Sequence, residues 1–419
     1  MNHQQLLKVI TEQERYHTNE SFIPRYEQFR KLDSASLVTI ITGIRRCGKS
    51  TLLNEIRFVN GSKGYYLNFD DDRLINFKSD DFQLLTELFI EKYGKQNIFY
   101  FDEIQNIVGW ERFIRRLHDQ GSKVYITGSN ARMLSRELGT HLTGRYIQLE
   151  LYPFSFSEFT AINQITYNQE FLTTTEGIAT LRRHFNEYLE SGGMPEYLKT
   201  RNKEYLKTLY EGILYRDILT RHNLTKEREI KELLYFIAGN VAKEATQTSL
   251  AKIIGIKNST TVKDYLTYFE DSYMVFTLYR YDNSIKRQLL APRKVYFIDN
   301  ALAATISFRQ SDDYGRWLEN IVFFELKRKG GALFYYKGKK ECDFVVKTHT
   351  GIQTIQVCHS LENTQSKERE IAGLIEAMDY FEVRDGLILT YSEEEELEIS
   401  GKTIRLKPVW KWLLENKNC

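Results

Sequence analysis

Short apolar runs recur along the first third of the chain, at Leu37–Thr42, Gly64–Phe69, Asn97–Phe101, Lys123–Thr127 and Tyr146–Leu151. Between them lie stretches with helical spacing of apolar positions, such as Phe82–Tyr93 and Trp110–Gln120. Short apolar strands separated by helices predict a parallel sheet covered on both faces. Residues 1–35 are more polar and predict helix with a break near Pro24. After Pro153 the pattern turns helical, at Ile178–Glu190 and Glu204–Leu219. Thr248–Ile256 and Thr260–Ser272 then predict two helices around a Lys257-Asn258-Ser259 turn, followed by β-like residues at Met274–Arg280. That order is helix-turn-helix plus wing. From Asp313 a long helix is expected to Lys329, then strands at Ala332–Tyr336, Cys342–Lys347 and Thr354–Cys358. A helix (Lys367–Phe381), a strand (Gly386–Leu389) and a hairpin with a last helix follow.

The first apolar run enters Gly43-Ile44-Arg45-Arg46-Cys47-Gly48-Lys49-Ser50, and an amphipathic stretch opens at Thr51. Strand, GxxxxGK[ST], helix is the order of a phosphate-binding P-loop. Its glycines let backbone N–H groups of residues 43–51 turn toward an anion at the helix N-terminus. Lys49 is expected at the β- and γ-phosphates of a nucleotide and Ser50 at Mg2+. A second chemical signal ends the Ile98–Phe101 run in Asp102-Glu103. There Asp102 suits the Mg2+ hydration shell, and Glu103 suits a base for the attacking water. The next run ends in Gly128-Ser129-Asn130, where Ser129 or Asn130 can bond the γ-phosphate and the water; Asn130 is equally a helix N-cap.

Composition narrows the setting rather than the chemistry. At 419 residues the chain is expected to hold roughly two to four domains. Its 42% hydrophobic and 27% charged content is that of a globular protein. A net charge of +2 excludes a globally basic nucleic-acid binder, leaving only local patches. Cys47, Cys342, Cys358 and Cys419 show no metal-ligand spacing. With no apolar stretch long enough for a membrane span, the chain is expected to be cytoplasmic.

The GIRRCGKS loop, the FDE and GSN strand ends and Gly144-Arg145 before the last strand resemble the AAA-plus ATPases. The chain looks most like a bacterial and archaeal family with an AAA-type ATPase and an uncharacterised C-terminal region. Leu151–Phe159 and Gly192–Leu198 resemble recurring segments of that family. The resemblance implies an α/β fold with an AAA-type P-loop NTPase sheet at 36–160, after the helical segment 1–35. A helical lid (161–230), a winged helix (231–300) and an α/β restriction-endonuclease-like domain (301–419), expected to be inactive, complete it. It implies ATP and Mg2+ as cofactors, Ser129 and Asn130 as the sensor, and a homo-oligomer or a protein client. Arg145 is expected as the finger that reaches a neighbouring subunit's γ-phosphate, with Arg132 and Arg136 as competitors; Arg216 is the candidate lid arginine.

Two further expectations concern the C-terminal half. Lys252, Lys257, Lys263, Ser259, Thr260 and Thr261 are residue types that can contact DNA; a DNA partner through the winged helix and C-terminal domain is one reading, and a winged helix packed on the lid as an interaction module is the other. The α-β-β-β-α-β order after Asp313 looks like the restriction-endonuclease-like fold, whose site is an Asp followed by Glu/Gln-x-Lys. Asp343 and Gln356 match it and Glu319 suits the helix acid, but Cys358 stands at the lysine position. His359 faces the other side of the strand, and Lys347 and Lys367 are the nearest substitutes in sequence. The main expectation is therefore a Mg2+-dependent ATPase coupling nucleotide state to conformational change of C-terminal binding domains. The alternatives are a nucleotide-gated DNA-binding switch with little turnover and an ATP-dependent nuclease using Asp343 and Gln356.

Overall fold

In the computed structural model, which describes residues 1–16, 22–34, 36–129, 142, 144–307 and 314–415, the five early apolar runs pair as one parallel sheet. Helix α1 (His3–Tyr16) precedes β1 (Val38–Thr42), α2 (Lys49–Val59), β2 (Tyr65–Asn68), α3 (Asp81–Tyr93), β3 (Ile98–Asp102), α4 (Trp110–Asp119), β4 (Lys123–Gly128) and β5 (Tyr146–Glu150). The sheet order is β2-β3-β4-β1-β5. All five residues of β1 are buried, as a central strand covered on both faces requires. Aromatic side chains supply much of the core: Phe82 stacks on Phe113 at 4.1 Å and Tyr65 on Phe89 at 4.8 Å. Such pairs add about 0.5–1.5 kcal/mol each beyond the area they bury.

The N-terminal segment is fastened to this sheet by polar groups. Asp33 accepts from Tyr26 Oη and Tyr125 Oη at 2.7 Å and from Thr39 Oγ1 and Lys123 Nζ at 2.8 Å. Burial pushes the Asp33 carboxyl up, but those four donors outweigh it and hold it below the usual range. This first compact unit spans Met1–Leu151, and the second spans Tyr152–Cys419.

The second unit begins helically, with α5 (Thr175–Ser191) and a helix at Lys203–Gly212. The single helix expected over Glu204–Leu219 changes to a π-helix at Ile213–Thr220. The change is one of hydrogen-bond register, to i→i+5 bonding, and it is rare enough that an apolar run is not read for it. Next come α6 (Glu227–Ala238), β6 (Glu244–Ala245), α7 (Gln247–Ile253), α8 (Ser259–Asp271), β7 (Val275–Tyr279) and β8 (Arg293–Phe297). These strands form an antiparallel sheet in the order β6-β8-β7. Residues 281–312, for which the sequence pattern predicted no elements, thus supply β8, a helix at Ile285–Leu290 and α9 (Asn300–Ser307).

The rest of the unit contains α10 (Tyr314–Lys329), β9 (Ala332–Lys337), β10 (Glu341–Thr348), β11 (Gly351–Val357), α11 (Thr364–Tyr380), β12 (Asp385–Thr390), β13 (Glu395–Ile399) and β14 (Lys402–Pro408). Its six strands run β13-β14-β12-β11-β10-β9. The Gly192-Gly193 pair has a packing cause inside this unit. Gly193 N–H donates to Asp299 Oδ2 at 2.7 Å, and a Cβ on Gly192 would stand 2.2 Å from that oxygen. Gly192 also holds φ +62°, a conformation that penalises any side chain.

Candidate functional site

The P-loop leaves β1, an interior strand between β4 and β5, at its C-terminal end, the end at which ligands bind in open α/β sheets. Gly43 has φ +149°, and a Cβ there would lie 2.1 Å from Leu151 O. Gly48 has φ +101° and sits at the N-cap of α2, so two glycines set the turn that aims the helix. Arg46, at φ +67°, takes the left-handed conformation between them. Ile44 and Cys47 are fully buried, and Cys47 Sγ donates to Leu151 O at 3.4 Å, which gives that loop position a packing role. Arg45 and Thr51 are partly exposed. Lys49 is only 5% exposed, and its ammonium donates to Gly43 O at 3.2 Å and Ile44 O at 3.1 Å. A buried ammonium resting on its own loop carbonyls is a cation held where an anionic phosphate fits.

The carboxylates at the end of β3 meet this loop. Asp102 is 1% exposed, accepts from Thr127 Oγ1 on β4, and bonds the Ser50 side chain. Burial first, then the neighbouring Glu103 charge, pushes its carboxyl up to about 6, against the opposing bonds from Thr127 and Ser50. A carboxylate kept in so costly a place is the kind of oxygen ligand that a hard divalent cation relieves. Glu103 takes a left-handed conformation (φ 51°), and its N–H donates to Thr127 Oγ1 at 2.9 Å. Its Oε1 lies 4.0 Å from Lys49 Nζ, and Gln105 Nε2 donates to its Oε2. Thr127 therefore fixes the Asp102 carboxylate and the Glu103 backbone at once. The sequence reading gave it no role because a threonine inside an apolar strand carries no local signal.

At the tip of β4, Ser129 is 3% exposed, and its Oγ has no hydrogen-bond partner among the described residues. A buried hydroxyl without a partner is rare and fits a ligand oxygen. Asn130, Arg132 and Arg136 lie outside the described residues. Arg145 stands just before β5, whose first residue pairs with Val38 at the start of β1; that is the sheet edge opposite the P-loop. There it bonds Asp119 Oδ1 at 2.7 Å on the surface, away from its own chain's Lys49 and Glu103. Arg216 is exposed on the π-helix.

Sequence reasoning also missed Arg25. Glu55 on α2 accepts the backbone N–H groups of Arg25 and Tyr26 at 2.9–3.0 Å. This anchors Arg25 so that its Nη1 donates to Cys47 O at 3.0 Å, against the P-loop backbone. Only the break near Pro24 hinted at this strap.

In the second unit, Glu319 on α10 and Asp343 on β10 come together as expected, and Gln356 Oε1 accepts from Asp343 N–H at 3.2 Å. The cation that joins them is neither Lys347, which lies over the Tyr281 ring, nor Lys367, which pairs with Glu395. It is Lys294 of β8, donating to Glu319 Oε1 at 2.9 Å and Asp343 Oδ1 at 2.7 Å. Cys358 is buried with its thiol pushed up by desolvation, and His359 is exposed and stacks on Tyr391. No helix among the described residues is long and apolar enough to cross a membrane.

Comparison with known proteins adds kinship to this geometry. Residues 35–160 match the model of an AAA domain, and residues 182–313 match a domain of unknown function (DUF8612). The Haemophilus influenzae relative, an uncharacterised protein, is 28% identical over 415 residues, covering 95% of this chain and 98% of its own. Among solved structures, the Thermotoga maritima RuvB Holliday junction branch migration motor is similar at 16% identity, covering 60% of this chain and 85% of its own with a TM-score of 0.29. An uncharacterised Methanocaldococcus jannaschii protein, MJ1544, is 34% identical over 398 residues, which cover 90% of this chain and 88% of that one. With an AAA-type P-loop unit at residues 35–160 and kinship over nine-tenths of its length, the chain belongs to the family of MJ1544.

Proposed function

We propose that the first unit is a Mg2+-dependent ATPase whose nucleotide state moves the helical and C-terminal regions. The observation that carries this reading is the run of contacts Ser50–Asp102–Thr127–Glu103 beside the buried Lys49 ammonium. It joins a cation ligand pair, a phosphate-binding lysine and a carboxylate base in one place. Lys49 binds the β- and γ-phosphates, and Ser50 and Asp102 would hold the metal, which would supply charge neutralisation at the phosphate oxygens. Glu103 orients the attacking water and accepts its proton, and Ser129 bonds the water or the terminal phosphate. Arg145, remote from its own P-loop, serves the site of a neighbouring copy, a contact worth about 10³–10⁵ in rate.

The second unit then serves as the moving, binding part, with DNA as its partner. What supports this is the order α6, β6, α7, α8, β7 and β8 around a β6-β8-β7 sheet, two helices followed by a small antiparallel sheet as the winged-helix reading requires. Lys252, Lys257, Thr260 and Lys263 are exposed on or beside its two helices. A cytoplasmic setting belongs to the same reading, with Cys47, Cys342 and Cys358 present as free, buried thiols.

The test is ATP turnover with Mg2+, with and without duplex DNA, at two salt concentrations because phosphate contacts are salt-sensitive. Lys49→Ala is expected to lose nucleotide binding, and Glu103→Gln to bind ATP without turnover. Wild-type turnover by Glu103→Gln would overturn the assignment of the base. DNA stimulation ties the second unit to nucleic acid, whereas turnover indifferent to DNA points to a protein client.

A further inference from the structure

The Lys294 cluster lies outside the nucleotide site and demands its own account. Lys294 is 2% exposed, and its ammonium touches three carboxylates: Asp343 at 2.7 Å, Glu319 at 2.9 Å and Glu341 at 2.9 Å. It arrives from β8 of the three-stranded sheet, while the carboxylates stand on α10 and on β10 of the six-stranded sheet. The carboxylates are oriented by the protein frame independently of the lysine. Val357 N–H donates to Asp343 Oδ2 at 2.9 Å, and Tyr296 Oη donates to Glu319 Oε1 at 2.7 Å. The pairing of β9 and β10 shifts register between Cys342 and Val345, a bulge of the sort that re-aims a side chain beside a site.

The carboxylates outnumber the cations here. Lys337 lies 3.2 Å from Glu341 but also pairs with Glu244, so it offsets Glu341 only in part. Burial first, then the Asp343 charge, raises the Glu319 carboxyl well above the usual range, against the opposing Lys294 charge and the Tyr296 bond. A catalytic lysine must leave room for a metal beside it, and this one does not. A Mg2+ bridging Asp343 and Glu319 would stand roughly 2.0–2.1 Å from their oxygens, overlapping the place Nζ fills. No group of three or more His, Cys, Asp or Glu is arranged to hold a metal among the described residues; the carboxylates stand at ammonium spacing.

We propose that Lys294 occupies the place a Mg2+- or Mn2+-class cation would take between Asp343 and Glu319, so that the folded chain excludes the metal. Cys358 supplies no cation at the strand motif's lysine position, and the lysine that meets these carboxylates, Lys294 from β8, stands where the metal would rather than beside it. The C-terminal domain accordingly holds the carboxylates of a phosphodiester-cleaving site without being able to load it. Glu341, about one-third exposed, marks the side from which an ion enters once the lysine is gone. This does not rest on the ATPase reading, since every residue involved lies in the second unit.

The experiment is Mn2+ binding to the full chain without nucleotide, read by electron paramagnetic resonance of the free ion. Wild type, Lys294→Met, Lys294→Gln and Lys294→Met/Asp343→Asn are compared, with circular dichroism checking the fold. Either single variant, if folded, is expected to bind Mn2+ about tenfold or more tightly than wild type. Adding Asp343→Asn should abolish the gain. A folded single variant without that gain overturns the proposal. Should both variants unfold, the wild type decides. Mn2+ uptake or Mn2+-dependent plasmid nicking that Asp343→Asn removes overturns it, and the absence of both supports it.

Discussion

Replacing Asp102 by asparagine should stabilise the nucleotide-free protein while destroying its activity. The Asp102 carboxyl is raised from 3.8 to about 6 by burial and by Glu103, a shift worth about 3 kcal/mol. Asparagine keeps the shape: its carbonyl oxygen can accept from Thr127, and its amide can donate to the Ser50 hydroxyl. It removes only the buried charge. Between pH 3.8 and 6 the folded state binds more protons at Asp102 than the unfolded state, so its contribution to stability falls as pH rises through that window. Above pH 6 the full penalty applies, and below 3.8 it vanishes. At roughly 2–4 °C per kcal/mol for a unit this size, the variant should melt roughly 6–12 °C higher at pH 8. Thermal unfolding followed by circular dichroism at pH 4, 5, 6 and 8 measures this. A variant no more stable than wild type at pH 8, or a gain independent of pH, would refute the reasoning.

Three further substitutions probe other parts of the molecule. Gly43→Ala puts a Cβ 2.1 Å from Leu151 O at φ +149°, and should abolish ATP binding in a fluorescent-nucleotide titration. Arg145→Ala loses one exposed ion pair, worth under about 1 kcal/mol, so its melting point should hold while ATP turnover falls about 10³-fold. Mixing it with Glu103→Gln should restore some turnover, because a shared site then receives one intact half from each copy; no recovery counts against a site between subunits. Gly192→Ala forces a side chain against Asp299 and should lower the stability of the second unit by about 2 kcal/mol or more, read by urea unfolding.

The parts of the site carried by contiguous residues were legible in the sequence. Lys49, Ser50, Asp102 and Glu103 sit at strand ends, where glycine and charge interrupt an apolar run. Thr127 and Arg25 were not, because their roles depend on which strand lies beside β3 and on a strap returning to α2. Lys294 illustrates the limit most clearly. In the Arg-Lys-Val-Tyr-Phe run of β8, alternation alone gives it an outward face. That face is covered by carboxylates more than twenty residues away in sequence, on α10 and β10. The elements of residues 247–279 and 314–408 fell within a few residues of expectation because their turns are marked by Asn258, Gly330-Gly331 and Gly401. The π-helical turn at Ile213–Thr220 left no such mark.

Leu151 is where the chain leaves the first unit, and it is fastened twice. Its N–H donates to Thr42 O at 2.8 Å, and its carbonyl accepts from Cys47 Sγ while lying against Gly43. Mechanically, the phosphate loop and the outgoing backbone share one clasp. On the proposed ATPase reading, tension along the polypeptide beyond Leu151 would bear on Gly43 and Cys47 without any lever in between, and slack inserted after Leu151 would dissipate that tension before it reached them.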